Sequence, residues 1–143
     1  MDKQQQAAEP MTEQQTSEWV RAQFQKANLF LAEQGVVMDT VAVAESRYLP
    51  PFVAVWKINA IDRKSYWAIT GDLPTDVMAF GSAATARDAL RAFSLRWQMQ
   101  AQQLMEAGVQ DQTGANYVKL LINRAEQIYQ LFEAEDFWQK QPV

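Results

Sequence analysis

Neither histidine nor cysteine occurs among the 143 residues. Without cysteine there is no disulfide, no thiolate metal site and no cysteine nucleophile. Without histidine the commonest general base and metal ligand is missing, along with the usual activator of a nucleophilic serine. Any catalysis would rest on carboxylates, lysine, tyrosine or a bound metal. Glycine is scarce as well. Its five copies stand singly, at 35, 71, 81, 108 and 114, so neither common phosphate-cradling loop is present. No apolar run approaches the roughly 20 residues of a membrane helix. The opening stretch MDKQQQAAEPMTEQQ lacks the apolar centre of a secretory signal, and the expected location is cytoplasmic.

What is present is ordinary for a globular protein. Hydrophobic residues make up 48% of the chain and charged residues 21%, enough for one domain with a real core. The net charge of −4 argues against nucleic acid, whose binding depends on neutralising phosphates. The charge is uneven, however. Residues 41–100 carry seven basic and five acidic groups, while residues 1–40 and 101–143 each carry three basic and six acidic. The middle of the chain is therefore basic within an acidic protein.

Organisation centres on residues 52–76. Phe52 to Ile58 and Ser65 to Thr70 are rich in β-branched and aromatic residues and are joined by a short polar connection, which predicts an antiparallel hairpin. Trp56 and Trp67 are expected to share its buried face, with the other face only partly wet. Val36 to Ser46 reads as a strand, stopped by Pro50-Pro51, giving a three-stranded meander. Val77 to Phe80 is a fourth strand or a connector. Three helices are predicted, over about 13–34, 84–107 and 115–138. The first opens on a capping box at Thr12–Gln15 and ends before Gly35. The second carries the stripe Ala86, Leu90, Phe93, Trp97, Ala101 and Leu104, and the third the stripe Tyr117, Leu121, Ile128, Leu131 and Phe132. The expected fold is α+β: one helix, the meander, then two long helices packed on one sheet face. Residues 1–12 read as a disordered glutamine-rich tail, 13–139 as the domain and 140–143 as a second tail.

Candidate chemistry is sparse. Asp72 and Asp76 flank Pro74 and offer oxygen ligands for Mg²⁺ or Ca²⁺, but EF-hand spacing is absent. The commoner role for such residues is to stabilise a turn and to start the next element. Arg87 and Arg91 are one helical turn apart, with Arg96 pointing elsewhere. They make either a basic face for an acidic partner or a solvated surface with an Arg91–Asp88 pair. Glu133, Glu135 and Asp136 read as a solvated helix end. Lys64 and Ser65 alternate across a strand and cannot act as a catalytic pair.

The run Val55-Trp56-Lys57, the run Tyr66 to Asp76, and the segments Arg87 to Leu90 and Phe93 to Gln98 together resemble a bacterial domain-of-unknown-function family of small single-domain proteins. The likeness covers about residues 17–138. It implies a free-standing one-domain protein and carries no functional residue with it. The expected function is a non-catalytic binding or protein-interaction module without a cofactor. Its partner is another protein or a second copy of itself, with neither nucleic acid nor membrane involved. The expected surface comprises Arg47, Asp72, Asp76, Arg87 and Arg91, with Trp67 as apolar anchor. Two alternatives remain open: a metal-dependent hydrolase using Asp72 and Asp76, and a structural homodimer joined through Tyr48, Tyr66 and Phe80.

Overall fold

The computed structural model describes residues 10–139. Residues 1–9 of the first expected tail, and all of 140–143, lie outside the described residues. Helix α1 (Glu13–Glu33) opens on the capping box read from the sequence. The Gln15 N–H donates to Thr12 Oγ1 at 3.0 Å, and the Thr12 N–H donates to Gln15 Oε1 at 2.9 Å. Gly35, at φ 81°, takes the left-handed position just beyond its end.

Five strands follow: β1 (Met38–Val41), β2 (Arg47–Leu49), β3 (Val53–Ala60), β4 (Ser65–Gly71) and β5 (Asp76–Ala79). All pair antiparallel in the order β1-β3-β4-β5, and β2 lies beside β1 against the same side of β3. The single strand expected over Val36 to Ser46 is thus interrupted, and β5 settles the status of Val77 to Phe80. The interruption is mended by one side chain. Ser46 Oγ accepts the Lys57 N–H at 3.0 Å and donates to the Ala42 carbonyl at 2.9 Å. The edge consequently leaves no gap in β3's hydrogen bonding there.

Helices α2 (Ala86–Ala107) and α3 (Gln112–Glu133) form an antiparallel pair over one face of the sheet, followed by the short α4 (Glu135–Gln139). The α+β class and the element order are those expected. The last helix, expected to run unbroken to about 138, instead stops at Glu133. Three carboxylates at a helix C-terminus oppose its dipole, and the bend at Ala134 takes two of them off α3.

The two tryptophans correct the expected layering. Trp56 stands opposite Ala68, and Trp67 stands opposite Lys57. Directly paired residues share a face, so the two indoles point to opposite sides. Val53, Val55, Trp67, Ile69 and Met78 pack under α2 and α3. Ala54, Trp56, Ile58 and Ala68 pack with Ala27 and Leu31 of α1. Both faces are therefore dry, which is why neither strand alternates between apolar and polar. Each indole also satisfies its N–H: Trp56 donates to Thr70 Oγ1 at 3.1 Å and Trp67 to the Ala83 carbonyl at 2.9 Å.

Candidate functional site

With both faces covered, side chains reach solvent mainly along the rim of the sheet. At one part of that rim the 3-10 turn Val43–Glu45, strand β2 and the start of α2 enclose a cleft of about 320 Å³. Trp67 and Trp138 form its apolar lining, Ala44 and Glu45 one wall, and Arg47 and Arg87 its cations. Trp67 is rigid there: it is fully buried and stacks on Phe80 at 5.5 Å between ring centroids. Thr85 caps α2 by accepting the Asp88 N–H at 3.1 Å. The electropositive end of a 22-residue helix therefore adjoins the cleft. Glu45 is neutralised by Lys57, whose Nζ lies 3.0 Å from Glu45 Oε2 and 4.5 Å above the Phe80 ring.

The two arginines of the cleft differ. Arg87 donates through Nε to the Phe132 carbonyl at 2.8 Å and meets both Glu135 oxygens at 3.3 Å. Its guanidinium also sits over the rings of Phe132 and Trp138, at 5.4 and 5.8 Å. It clamps the end of α3 and the start of α4 to α2. Because a charged hydrogen bond and ring packing are lost together, Arg87→Ala is expected to destabilise the chain by about 1.5–3 kcal/mol. Equilibrium denaturation measures this, and an unchanged midpoint would show the clamp to be idle. Arg47 has no such commitments. Four arginines are half-buried, at 47, 87, 96 and 124. Three of them bond to internal acceptors, whereas the Arg47 guanidinium has no hydrogen bond or ion pair among the described residues. Arg91, one turn along from Arg87, is exposed, and its expected pair with Asp88 does not form.

The aspartates lie elsewhere. Asp76 starts β5 and is turned inward. Its Oδ1 accepts the Val77 N–H at 2.8 Å and Arg96 Nη1 at 3.2 Å, and its Oδ2 accepts the Trp97 indole N–H at 3.0 Å. Asp72 stays at the surface with its side chain 76% exposed, 3.7 Å from Arg124 Nη2. It borders a separate apolar groove of about 360 Å³ whose walls include Leu49, Phe52, Leu73, Ile128 and Leu131. The two carboxylates are thus held by different arginines, and no group of three or more acidic, His or Cys side chains suits a metal among the described residues. That arrangement gives the metal-dependent reading no geometric support.

The surface expected from the sequence is therefore divided. Arg47, Trp67 and Arg87 come together, with Arg91 beside them. Asp72 belongs to the neighbouring groove, and Asp76 to the seam between sheet and α2. Burial pushes the pKa of Tyr48 up. The Lys64 N–H, with help from the Tyr66 hydroxyl, holds Asp62 below its usual value, and that bond to Asp62 pushes Tyr66 up. Two participants escaped the sequence reading. Trp138 donates its indole N–H to the Leu131 carbonyl at 2.8 Å, which folds α4 back beside the cleft. Arg124 donates from α3 to the Asp72 carbonyl at 2.7 Å. The aromatic pair Phe137-Trp138 within an acidic stretch is the signal that could have exposed the first. Arg124 has no local signal, since its partner lies 52 residues away.

No helix is long and apolar enough to cross a membrane among the described residues. A family model described as "Domain of unknown function (DUF4826)" matches residues 13–138. No curated protein and no solved structure matches the chain.

Proposed function

The chain belongs to that family, whose description assigns no activity. We propose a non-catalytic module that binds an acidic segment of another protein in the cleft between β2 and α2. The observation that supports this is Arg47, a half-buried guanidinium without an internal acceptor, set beside two tryptophans and a helix N-terminus. A guanidinium donates through a planar fork that matches a carboxylate. Trp67, expected as an exposed apolar anchor, is instead fully buried and stiffens the wall behind the arginine. Arg91 extends the positive surface along α2. The cytoplasmic setting expected from the sequence is part of this proposal.

The experiment uses two fluorescent peptides with three consecutive glutamates or three consecutive glutamines, read by anisotropy. The glutamate peptide binds more tightly, and added salt weakens it. Arg47→Ala reduces that affinity by about tenfold, the value of one charge-assisted contact, and changes stability by less than about 0.5 kcal/mol. Equal affinity for both peptides, or an affinity indifferent to Arg47, would defeat the proposal.

A further inference from the structure

Main-chain bonding around β3 fixes which groups of β2 are left over. The Asp72 N–H donates to the Phe52 carbonyl and the Ala60 N–H to the Lys64 carbonyl, so even-numbered residues from 52 to 60 bond toward β4. Lys57 turns the other way: its N–H meets Ser46 Oγ, and its carbonyl accepts the Ala42 N–H. Bonding direction alternates along a strand. Val53 and Val55 therefore face β2, where Leu49 and Arg47 stand opposite them. Tyr48 lies between, and its own N–H and carbonyl point away from β3. Neither has a partner among the described residues. An unpaired edge of this kind is a template for one more strand.

The side chains along that edge lead into two hollows. Arg47, opposite Val55, lies on the α2–α3 side of the sheet and reaches the cleft. Tyr48, opposite Ala54, lies on the α1 side against Trp56. There Tyr48, Val43, Pro50 and Thr16 of α1 border a second hollow, of about 410 Å³. Ala44 and Arg47 border both spaces, so one three-residue edge divides them. Their chemistry differs. The cleft holds two arginines, whereas the second hollow carries no charged side chain besides Arg47 and presents the exposed apolar surface of Val43. Ser46 also borders it, but its hydroxyl is already spent on Lys57 and Ala42.

We propose that the acidic segment binds as an added strand on β2, exchanging main-chain hydrogen bonds with Tyr48, with a carboxylate at Arg47 in the cleft and the adjacent residue's apolar side chain in the hollow beside Tyr48. This mode of binding rests on an acidic segment being the ligand of the cleft. Directly paired residues share a face, and successive side chains of a strand point to opposite faces. The residue opposite Tyr48 is therefore the apolar one, and its neighbour opposite Arg47 carries the acid. Main-chain bonds supply affinity in such a complex, and the alternate pockets supply specificity. Pro50 and Pro51 end the edge, because proline has no N–H to offer, and limit it to a short segment. A second copy paired here about a two-fold axis would bring two Arg47 side chains to one face of the joined sheet, where like charges repel.

Three fluorescent peptides read by anisotropy test this: one with glutamate and leucine adjacent, one with a serine between them, and the adjacent peptide methylated on its leucine nitrogen. The spaced peptide puts both side chains on one face and binds about tenfold more weakly than the adjacent one. Methylation removes the donor to the Tyr48 carbonyl and weakens binding about fivefold or more. Thr16→Trp, which fills the hollow from α1 and leaves the cleft alone, removes the preference for the adjacent peptide, while Arg47→Ala weakens all three. Loss of affinity on Arg47→Ala with indifference to spacing and to methylation overturns the added strand and leaves the cleft assignment standing. Indifference to Arg47 as well overturns both. Sedimentation that finds a dimer of the free chain, dissociated by the adjacent peptide, gives this edge to a second copy and also overturns the proposal.

Discussion

Asp76→Ala is expected to lower the stability of the chain by about 3 kcal/mol, at the lower end of the cost of breaking a buried ion pair because Arg96 keeps some water contact. Three donors lose their acceptor at once. The Trp97 indole lies in the core at 1% exposure, so its N–H stays desolvated and unpaired. The Val77 N–H and the guanidinium of Arg96 lose the same partner. Arg96 also donates to the Val77 carbonyl at 2.7 Å. The pair therefore occupies both backbone groups of Val77 that β4 does not use, and shields the outer edge of β5 from pairing with another chain. In thermal denaturation the substitution lowers the midpoint by roughly 10–15 °C and increases aggregation near the transition. Asp76→Asn retains one acceptor and falls between. A wild-type midpoint in Asp76→Ala would mean that this carboxylate is a free surface group after all.

Gly71→Ala is expected to cost about as much, roughly 2–4 kcal/mol, by an unrelated route. Gly71 sits at φ 138°, and a Cβ placed there would come within 2.2 Å of the Phe52 carbonyl oxygen and 2.9 Å of Val53 Cα. Those are backbone atoms at the head of the central strand. Relief requires moving that strand or giving up the Asp72 N–H bond to the Phe52 carbonyl at 2.9 Å. Strain of about 1–3 kcal/mol for the backbone conformation adds to about 1 kcal/mol for the bond. Urea denaturation measures the loss, and Gly81→Ala is the internal control. The added methyl at Gly81 meets nothing within 4 Å, so its midpoint stays near that of the native chain.

Much of the fold is legible because local rules agree. Thr12 with Gln15, Thr85 with Asp88, and Gly35 mark helix ends by short-range bonding that a reader of the sequence can see. The hairpin of β3 and β4 is equally plain. What stays hidden is parity. Whether Trp67 faces Trp56 or Lys57 depends on how many loop residues separate the strands, and one step of register moves every side chain to the other face. The same limit explains the aromatics expected to form a self-complementary patch. Tyr48 lies against Trp56 at 5.0 Å between centroids, Phe80 against Trp67, and the Tyr66 hydroxyl bonds Asp62. All three are spent inside the chain. For the site, residue type draws attention to the arginines as a group, but only long-range contacts separate Arg87 and Arg96, which bond to internal acceptors, from Arg47 and Arg91, which do not.

The interrupted edge strand bears on how the cleft came to exist. Between the pairs Val41–Ile58 and Arg47–Val55, five residues stand opposite only Trp56 and Lys57. The surplus is a three-residue blister, Val43-Ala44-Glu45, and two of its members wall the cleft. The serine hydroxyl that patches the ladder lets this blister bulge outward while the scaffold keeps its bonding. The pocket is thus an ornament on the architecture: excising it would leave a plain uninterrupted border and a protein that still folds.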